Sequence, residues 1–181
     1  MVAMRQIDLE EVAPSLGSLT EEWGRAICQA AAHCMTERSH ASGVELCSDG
    51  MGSPNFAVHW APFKDAAKVE ATWSDLQVAV EHGAYAIALA TIDVEYGLKV
   101  VARSAKGTGF DFWVRDPAKP GILMQGAERV EVSGILSGTK SDVSGRLSEK
   151  IKQMNQSSYM GLPGHAVVVE FGRPLVKAAK T

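Results

Sequence analysis

The feature that most constrains the fold is an unbroken apolar run near the carboxyl end of the chain. Residues 164–172 read GHAVVVEFG, with four consecutive apolar side chains between His165 and Glu170. A strand with one wet face alternates apolar and polar residues, whereas a continuous run is typical of a strand buried on both faces. We therefore predict an α/β protein in which helices cover this strand.

Three segments with helical spacing of apolar residues supply those helices. They are residues 18–38, 72–97 and 141–156. Ser18 or Thr20 can cap the first helix. Thr72 followed by Asp75 resembles a capping box for the second, and Gly97 marks its end.

Shorter alternating runs predict the remaining strands. They are residues 44–47, 56–60, 98–104, 106–116 and 128–136. The first two read as a hairpin, and the Pro/Gly-rich stretch 116–121 predicts a turn between the last two. We expect residues 1–17 to be a loosely ordered lead-in and residues 173–181 to form a basic tail.

Length and charge limit the possible functions. The 181 residues fit a single domain with a real core, 1–181. The formal net charge of −3 gives no overall basic character, so any contact with nucleic acid must come from a local patch. The longest apolar stretch, residues 84–92, is about half the length that a membrane-spanning helix needs. The amino-terminal residues are too polar for a signal peptide, and we expect no membrane partner.

The cysteines indicate a reducing compartment. Their number is three, without a C-x-x-C pair. We therefore expect free thiols and a cytoplasmic protein. A zinc site built from His33, Cys34, His40 and Cys47 matches no known ligand spacing, and buried core cysteines are the better interpretation.

Two carboxylates within the predicted strands are the candidate functional residues. Asp111 lies between Phe110 and Phe112, and Glu131 lies between two valines. Residues i and i+2 share a strand face, so pairing the apolar faces of the two strands brings both acids to the other face. Two like charges this close require a cation or a shared proton. Mg²⁺ held by one or two carboxylates and water meets that requirement.

A simpler explanation is also open. Polar residues are common on the wet face of an antiparallel hairpin. Asp111 could instead form a surface ion pair with Arg103 or Arg129, which would contribute little to stability.

The order of elements favours the metal site. A helix, three strands, a helix and a strand, with acids on the second and third strands, resemble the PD-(D/E)XK nuclease superfamily, the restriction-endonuclease-like fold. The resemblance covers residues 72–172 and is carried by GTGFDF around Asp111 and VEVS around Glu131. It implies that these two acids bind Mg²⁺ or Mn²⁺, that Glu81 on the preceding helix assists, and that the substrate is DNA.

The chain departs from this family at its lysine position. Ser133 stands two residues after Glu131, where the family has a lysine that orients water and stabilises charge on the phosphate. Either another cation replaces the lysine or cleavage has been lost. The candidates are Lys106, which we include in the predicted catalytic set, and Lys140, Arg146 and Lys150. A solvated helix face explains Arg146 and Lys150 more simply.

We therefore expect metal-dependent phosphodiester hydrolysis on DNA, carried by Glu81, Asp111, Glu131, Ser133 and Lys106. The alternative is a catalytically silent nuclease-fold module for nucleic-acid binding or protein assembly. A third possibility is an unrelated α+β interaction protein whose acids are surface residues.

The amino-terminal part is expected to complete the same core. Residues 1–70 form an extension with one helix and one hairpin, too small to be stable alone. They should pack on the nuclease-like core of residues 72–172 or on a second copy of the chain. We expect a homodimer, since cyclic dimers are the commonest assembly.

Overall fold

The computed structural model describes residues 4–52, 55–119 and 125–181. Parts of the predicted lead-in, hairpin loop and 116–121 turn lie outside these ranges. The strands are β1 Arg5–Asp8, β2 Val44–Asp49, β3 Asn55–His59, β4 Lys99–Arg103, β5 Phe112–Arg115, β6 Glu128–Ile135, β7 Gly164–Glu170 and β8 Leu175–Lys180. The α-helices are α1 Leu9–Ser15, α2 Glu21–Glu37, α3 Ala66–Thr72, α4 Leu76–Tyr96 and α5 Lys140–Met154, and a 3₁₀ turn spans Asn155–Met160.

The described strands form one mixed sheet of eight, in the order β1-β3-β2-β8-β7-β6-β5-β4. β4, β5 and β6 are an antiparallel meander, and the crossover through α5 makes β7 parallel to β6. The predicted α/β class and the order helix, three strands, helix, strand are confirmed from α4 to β7.

Both faces of the sheet are covered, as the apolar run in β7 predicted. Val167 and Val169 face a core shared with α1, α2 and α4. Ala166 and Val168 face a smaller core under α5, and all seven residues of β7 are buried. The alternation of β7 thus divides residues 166–169 between two apolar layers, which explains why none of these four side chains is polar.

The predicted loose lead-in is wrong from residue 5 onward. β1 pairs in parallel with β3, and Ile7 is 1% exposed. Asp8 then accepts a hydrogen bond from the backbone N–H of Glu10 and caps α1. β1 is only four residues long, so its alternation is too short to distinguish it from a loop.

The predicted basic tail is also wrong. β8 lies inside the sheet, antiparallel to β7 and parallel to β2. Val176 and Ala178 are buried, and Lys177 pairs with Asp49 at 2.8 Å. β8 therefore joins the sheet strands of the amino-terminal part to those of residues 72–172.

The second predicted helix begins later than expected. Thr72 ends the short helix α3, and Asp75 caps α4 by accepting from the N–H groups of Gln77 and Val78. The Thr72 capping box is therefore wrong, whereas the end at Gly97, in the left-handed conformation, is confirmed.

The small residues of α4 permit close packing against α2. A Cβ placed on Gly83 would lie 3.0 Å from the backbone of Ala31. Trp23 of α2 reaches across to Phe112 of β5, with ring centroids 5.9 Å apart. In the described part of the chain no helix is long and apolar enough to cross a membrane.

Candidate active site

The two predicted acids meet at the point where β5 begins beside β6. Asp111 comes immediately before β5, and its N–H donates to the carbonyl of Val130 at 2.8 Å. Its Oδ2 accepts from the N–H of Val132 at 2.9 Å, across Glu131. The pairing of Phe112 with Val130 brings Asp111 next to Glu131, and both acids line a cleft that residues of α4 and α5 also line.

The strand alternation expected around Asp111 holds only from Phe112 onward. Phe112 and Val114 belong to the main core, but the ring of Phe110 packs edge-on against Trp113 at 4.7 Å. Gly109, with φ +85°, turns the chain just before these residues. Asp111 is thus presented from an irregular segment held to β6 by two hydrogen bonds.

Glu131 is a buried carboxylate with one satisfied oxygen. The residue is 1% exposed, and Lys150 Nζ of α5 donates to Oε1 at 2.6 Å. Glu131 Oε2 is buried without a hydrogen-bond partner among the described residues. An unpaired buried carboxylate oxygen is costly, and it points to a proton or a cation that the arrangement is built to accept.

The electrostatics of the pair agree with this geometry. Burial, followed by the charge of Asp111, raises the pKa of Glu131 to about 7. Burial also raises the pKa of Asp111, against the lowering effect of the Val132 N–H. Raised pKa values in a cleft are typical of functional carboxylates. Both effects would be relieved by a cation placed between the two groups.

Two adjoining parts of one cleft open onto these acids. One part, of about 610 Å³, extends toward Ser133 and Arg146, and we call it the Ser133 lobe. The other, of about 840 Å³, extends toward Arg103 and Lys106, and we call it the Arg103 lobe. The lobes share the residues Glu81, Tyr85, Asp111, Glu131 and Gln153. The acid pair therefore lies where the Ser133 lobe and the Arg103 lobe meet.

Glu81 faces this cleft from α4. It is exposed and accepts a hydrogen bond from the Tyr85 hydroxyl at 2.9 Å. Burial and the charges of Asp111 and Glu81 raise the pKa of Tyr85, which keeps its hydroxyl protonated as a donor. Glu81 thus lines the shared centre of the cleft but is fixed by Tyr85.

The four cations proposed to replace the family lysine differ in how close they lie to the acid pair. Lys150 contacts Glu131, and its side chain is only 20% exposed, so the solvated-face interpretation is wrong for this residue. Arg146 donates to Ser133 Oγ at 3.3 Å from the same helix. Lys106 lines the Arg103 lobe, whereas Lys140 lines a different cavity.

Asp111 and Glu131 are the residues that could hold a divalent ion. Among the described residues no group of three or more His, Cys, Asp or Glu side chains that could hold a metal is found. Mg²⁺ does not require three such ligands, because it keeps several waters and is often bound through one or two carboxylates. The unpartnered Glu131 Oε2 beside Asp111 offers the necessary oxygens.

Sequence reasoning named Lys150 only as one of four candidates and missed Tyr85 and Gln153. Lys150 occupies the face of α5 that also carries Leu147 and Met154. A lysine within such an apolar stripe is the sequence feature that indicates a cation directed at the sheet. Tyr85 follows Glu81 by one helical turn, the spacing at which side chains meet.

In comparisons with protein-family models, curated protein sequences and solved structures, no significant match is found.

Proposed function

We propose that this protein is a metal-dependent phosphodiesterase acting on DNA, with a restriction-endonuclease-like core formed by α4, β4–β6, α5 and β7. The observation that carries the proposal is the contact of Lys150 with Glu131 beside Asp111. It brings together two acids and one half-buried cation at the centre of a cleft. The expected order of elements around the acids supports the same assignment.

The residues divide the chemistry in the following way. Asp111 and Glu131 would hold Mg²⁺ or Mn²⁺, which supplies positive charge to the phosphate and lowers the pKa of a bound water. Lys150 donates to Glu131 and to Gln153, which leaves one N–H of its ammonium group for a phosphate on which negative charge develops. Ser133 and Arg146 bound the Ser133 lobe beside it. Glu81 assists from α4 through the hydrogen bond that Tyr85 gives it.

DNA is the proposed substrate because five basic side chains line the cleft beside the acid pair, together with the acids Glu81 and Glu149. The formal net charge is −3, yet lysine and arginine side chains line both lobes. These side chains are Arg103, Lys106, Arg146, Lys150 and Lys152. Basic side chains in both lobes, on either side of the acid pair, suit contacts to successive phosphates of a polyanion. Lys106 is assigned to binding in the Arg103 lobe, and Lys150 to the lysine position of the family.

The decisive experiment measures cleavage of supercoiled and linear DNA in Mg²⁺ or Mn²⁺. Wild type should cleave, whereas Glu131→Gln and Lys150→Met should lose at least about a hundredfold in rate, the scale for losing one preorganised charge-stabilising group. Lys140→Met, which changes a lysine of another cavity, should cleave like wild type. Cleavage that survives in Lys150→Met would contradict the proposed role.

A second variant tests the replaced lysine directly. Ser133→Lys in the Lys150→Met background returns a cation to the strand position that the family uses. We expect partial recovery of cleavage, since Ser133 lines the same lobe as Glu131. No recovery together with a normally folded protein would favour a cation position that only α5 can supply.

The silent-module alternative has one specific observation in its favour. Lys150 already pairs with one Glu131 oxygen and the Val132 N–H already donates to Asp111, so protein groups satisfy part of the site without a metal. On this alternative the protein binds DNA but does not cleave it, and binding should be independent of divalent ions.

We also propose a homodimer, because cutting both strands of a duplex is simplest with two copies of the site. Size-exclusion chromatography with light scattering tests it. A single species at the chain mass of 19.3 kDa at high protein concentration would contradict this part alone.

A further inference from the structure

The Arg103 lobe contains a cation that the chemistry above does not use. Arg103 ends β4, and its guanidinium carbon lies 5.4 Å from the ring centroid of Trp23. It lies 5.8 Å from the centroids of Tyr85 and Phe112. Across the described ranges its guanidinium makes no ion pair or hydrogen bond, so its N–H donors are uncommitted.

Acids line the same lobe as the Arg103 guanidinium, yet it pairs with none of them among the described residues. Glu81, Asp111 and Glu131 line the same lobe, and an arginine free to turn would be attracted to such acids. The three aromatic rings hold the guanidinium instead, because a cation is attracted to ring faces. The five N–H donors of an arginine suit two oxygens of a phosphate or carboxylate at once. Arg103 is exposed, so its N–H donors are open to an anion while the rings lie against its guanidinium.

The backbone of Arg103 lies next to that of the acid pair. Arg103 pairs with Phe112 in the sheet, and the N–H of the next residue, Ser104, donates to the Asp111 carbonyl at 2.7 Å. The backbones of Arg103 and Asp111 are therefore about one strand spacing apart, ~5 Å. Phosphates of one DNA strand repeat every ~3.4 Å along the helix axis. Arg103 and both acids also line one lobe, so a strand with a phosphate at the acid pair would pass Arg103 as it leaves along that lobe.

We propose that Arg103 binds a phosphate adjacent to the one that is cleaved, and that the strand crosses the acid pair from the Ser133 lobe to the Arg103 lobe. This inference rests on the proposed function. Lys106 and Lys152 line the same lobe and extend the track along it. Since both lobes are open beside the acids, a strand can continue past the cleaved bond on either side.

The test separates binding from cleavage. Anisotropy of a fluorescently labelled DNA duplex, and of one of its strands alone, is measured with Ca²⁺, another oxygen-seeking divalent ion, in place of Mg²⁺. Arg103→Gln should weaken binding about tenfold, as expected for losing hydrogen bonds to a charged group. It should also reduce the slope of log affinity against log salt by about 0.7 to 0.9, one phosphate contact. Arg103→Lys keeps the charge and should lose less.

Arg38→Gln is the matched control, because Arg38 is an exposed arginine at the end of α2 that lines another cavity. Thermal unfolding of every variant excludes a folding defect. If Arg103→Gln proves unstable, Arg103→Lys carries the test: its salt slope should stay at the wild-type value while its affinity falls, because lysine cannot bind two phosphate oxygens as arginine does. Unchanged affinity in a folded Arg103→Lys would then overturn the assignment.

The outcomes distinguish the two proposals. Cleavage by wild type with unchanged affinity and slope in Arg103→Gln overturns the Arg103 assignment and leaves the nuclease proposal intact. Weakened binding in Arg103→Gln without cleavage by any variant supports the Arg103 site and overturns hydrolysis. Equal losses in Arg38→Gln and Arg103→Gln show general electrostatics and overturn the specific site. A wild type that binds no DNA overturns both.

Discussion

Replacing Glu131 by Gln should remove a pH-dependent cost in the stability of the metal-free protein. Burial and the charge of Asp111 raise the pKa of Glu131 from 4.5 to about 7. In the unfolded chain the carboxyl titrates near 4.5. Between these two pH values the folded state binds more protons than the unfolded state, so the free energy of unfolding falls as pH rises.

The size of the effect follows from the pKa difference. A shift from 4.5 to about 7 corresponds to about 3 kcal/mol of stability. This cost is absent below about pH 4.5 and complete above about pH 7. The raised pKa of Asp111 acts in the same direction. For a domain whose total stability is about 5–15 kcal/mol, a change of this size is readily measured.

Urea unfolding followed by tryptophan fluorescence, with a chelator present, provides the measurement. Between about pH 4.5 and pH 8 wild type should lose stability that Glu131→Gln retains. Glu149→Gln is the control, since this acid of α5 has a 73% exposed side chain and should follow wild type. His165, whose pKa burial lowers, changes stability with the opposite sign but is common to all variants and cancels in the difference.

Adding Mg²⁺ completes the experiment. A divalent ion at the acid pair should restore stability to wild type near pH 8 and have little effect near pH 4.5, where protons occupy the site. Glu131→Gln should gain much less at either pH. Parallel pH curves for wild type and Glu131→Gln would refute the reasoning, because they would show that this carboxylate pays no electrostatic cost in the folded state.

Two further predictions concern the fold around the site. Gly134→Ala should destabilise the protein by about 1–3 kcal/mol in urea unfolding, since its Cβ would lie 2.5 Å from the carbonyl oxygen of Val80. Gly145→Ala on the exposed face of α5, where nothing lies within 4 Å, should be neutral or stabilising. Deleting residues 175–181 should abolish the cooperative unfolding transition and the native circular dichroism, because β8 lies between β7 and β2; a truncated chain that still folds would contradict the assigned sheet order.

The acid pair could be placed from sequence because it depends on local periodicity. Period-two alternation puts Glu131 opposite the apolar face of β6, and the short meander leaves few ways to pair β5 with it. The irregular turn at Gly109 could not be foreseen in the same way. It rotates Phe110 away from Phe112 while leaving Asp111 directed at β6.

The position of β8 could not be obtained from the chain alone. Its six residues include two lysines, and only Val176 and Ala178 are buried, so local composition resembles an exposed tail. What makes it a strand is non-local: β7 and β2 both present unpaired edges that β8 satisfies. The pairing of β8 with β2 joins residues that are far apart in the sequence, and local periodicity carries no information about such contacts.

The cation of the site shows the same division between local and non-local information. Ser133 lies two residues from Glu131 and suggests a missing charge, whereas Lys150 lies 19 residues away on α5. Its place depends on how α5 docks through Val143, Leu147 and Met154 onto Ala166 and Val168. The position of the Lys150 ammonium group is therefore set by apolar packing under α5. A packing change such as Leu147→Ala, which costs about 2–5 kcal/mol, should consequently weaken the Lys150–Glu131 contact without altering either residue.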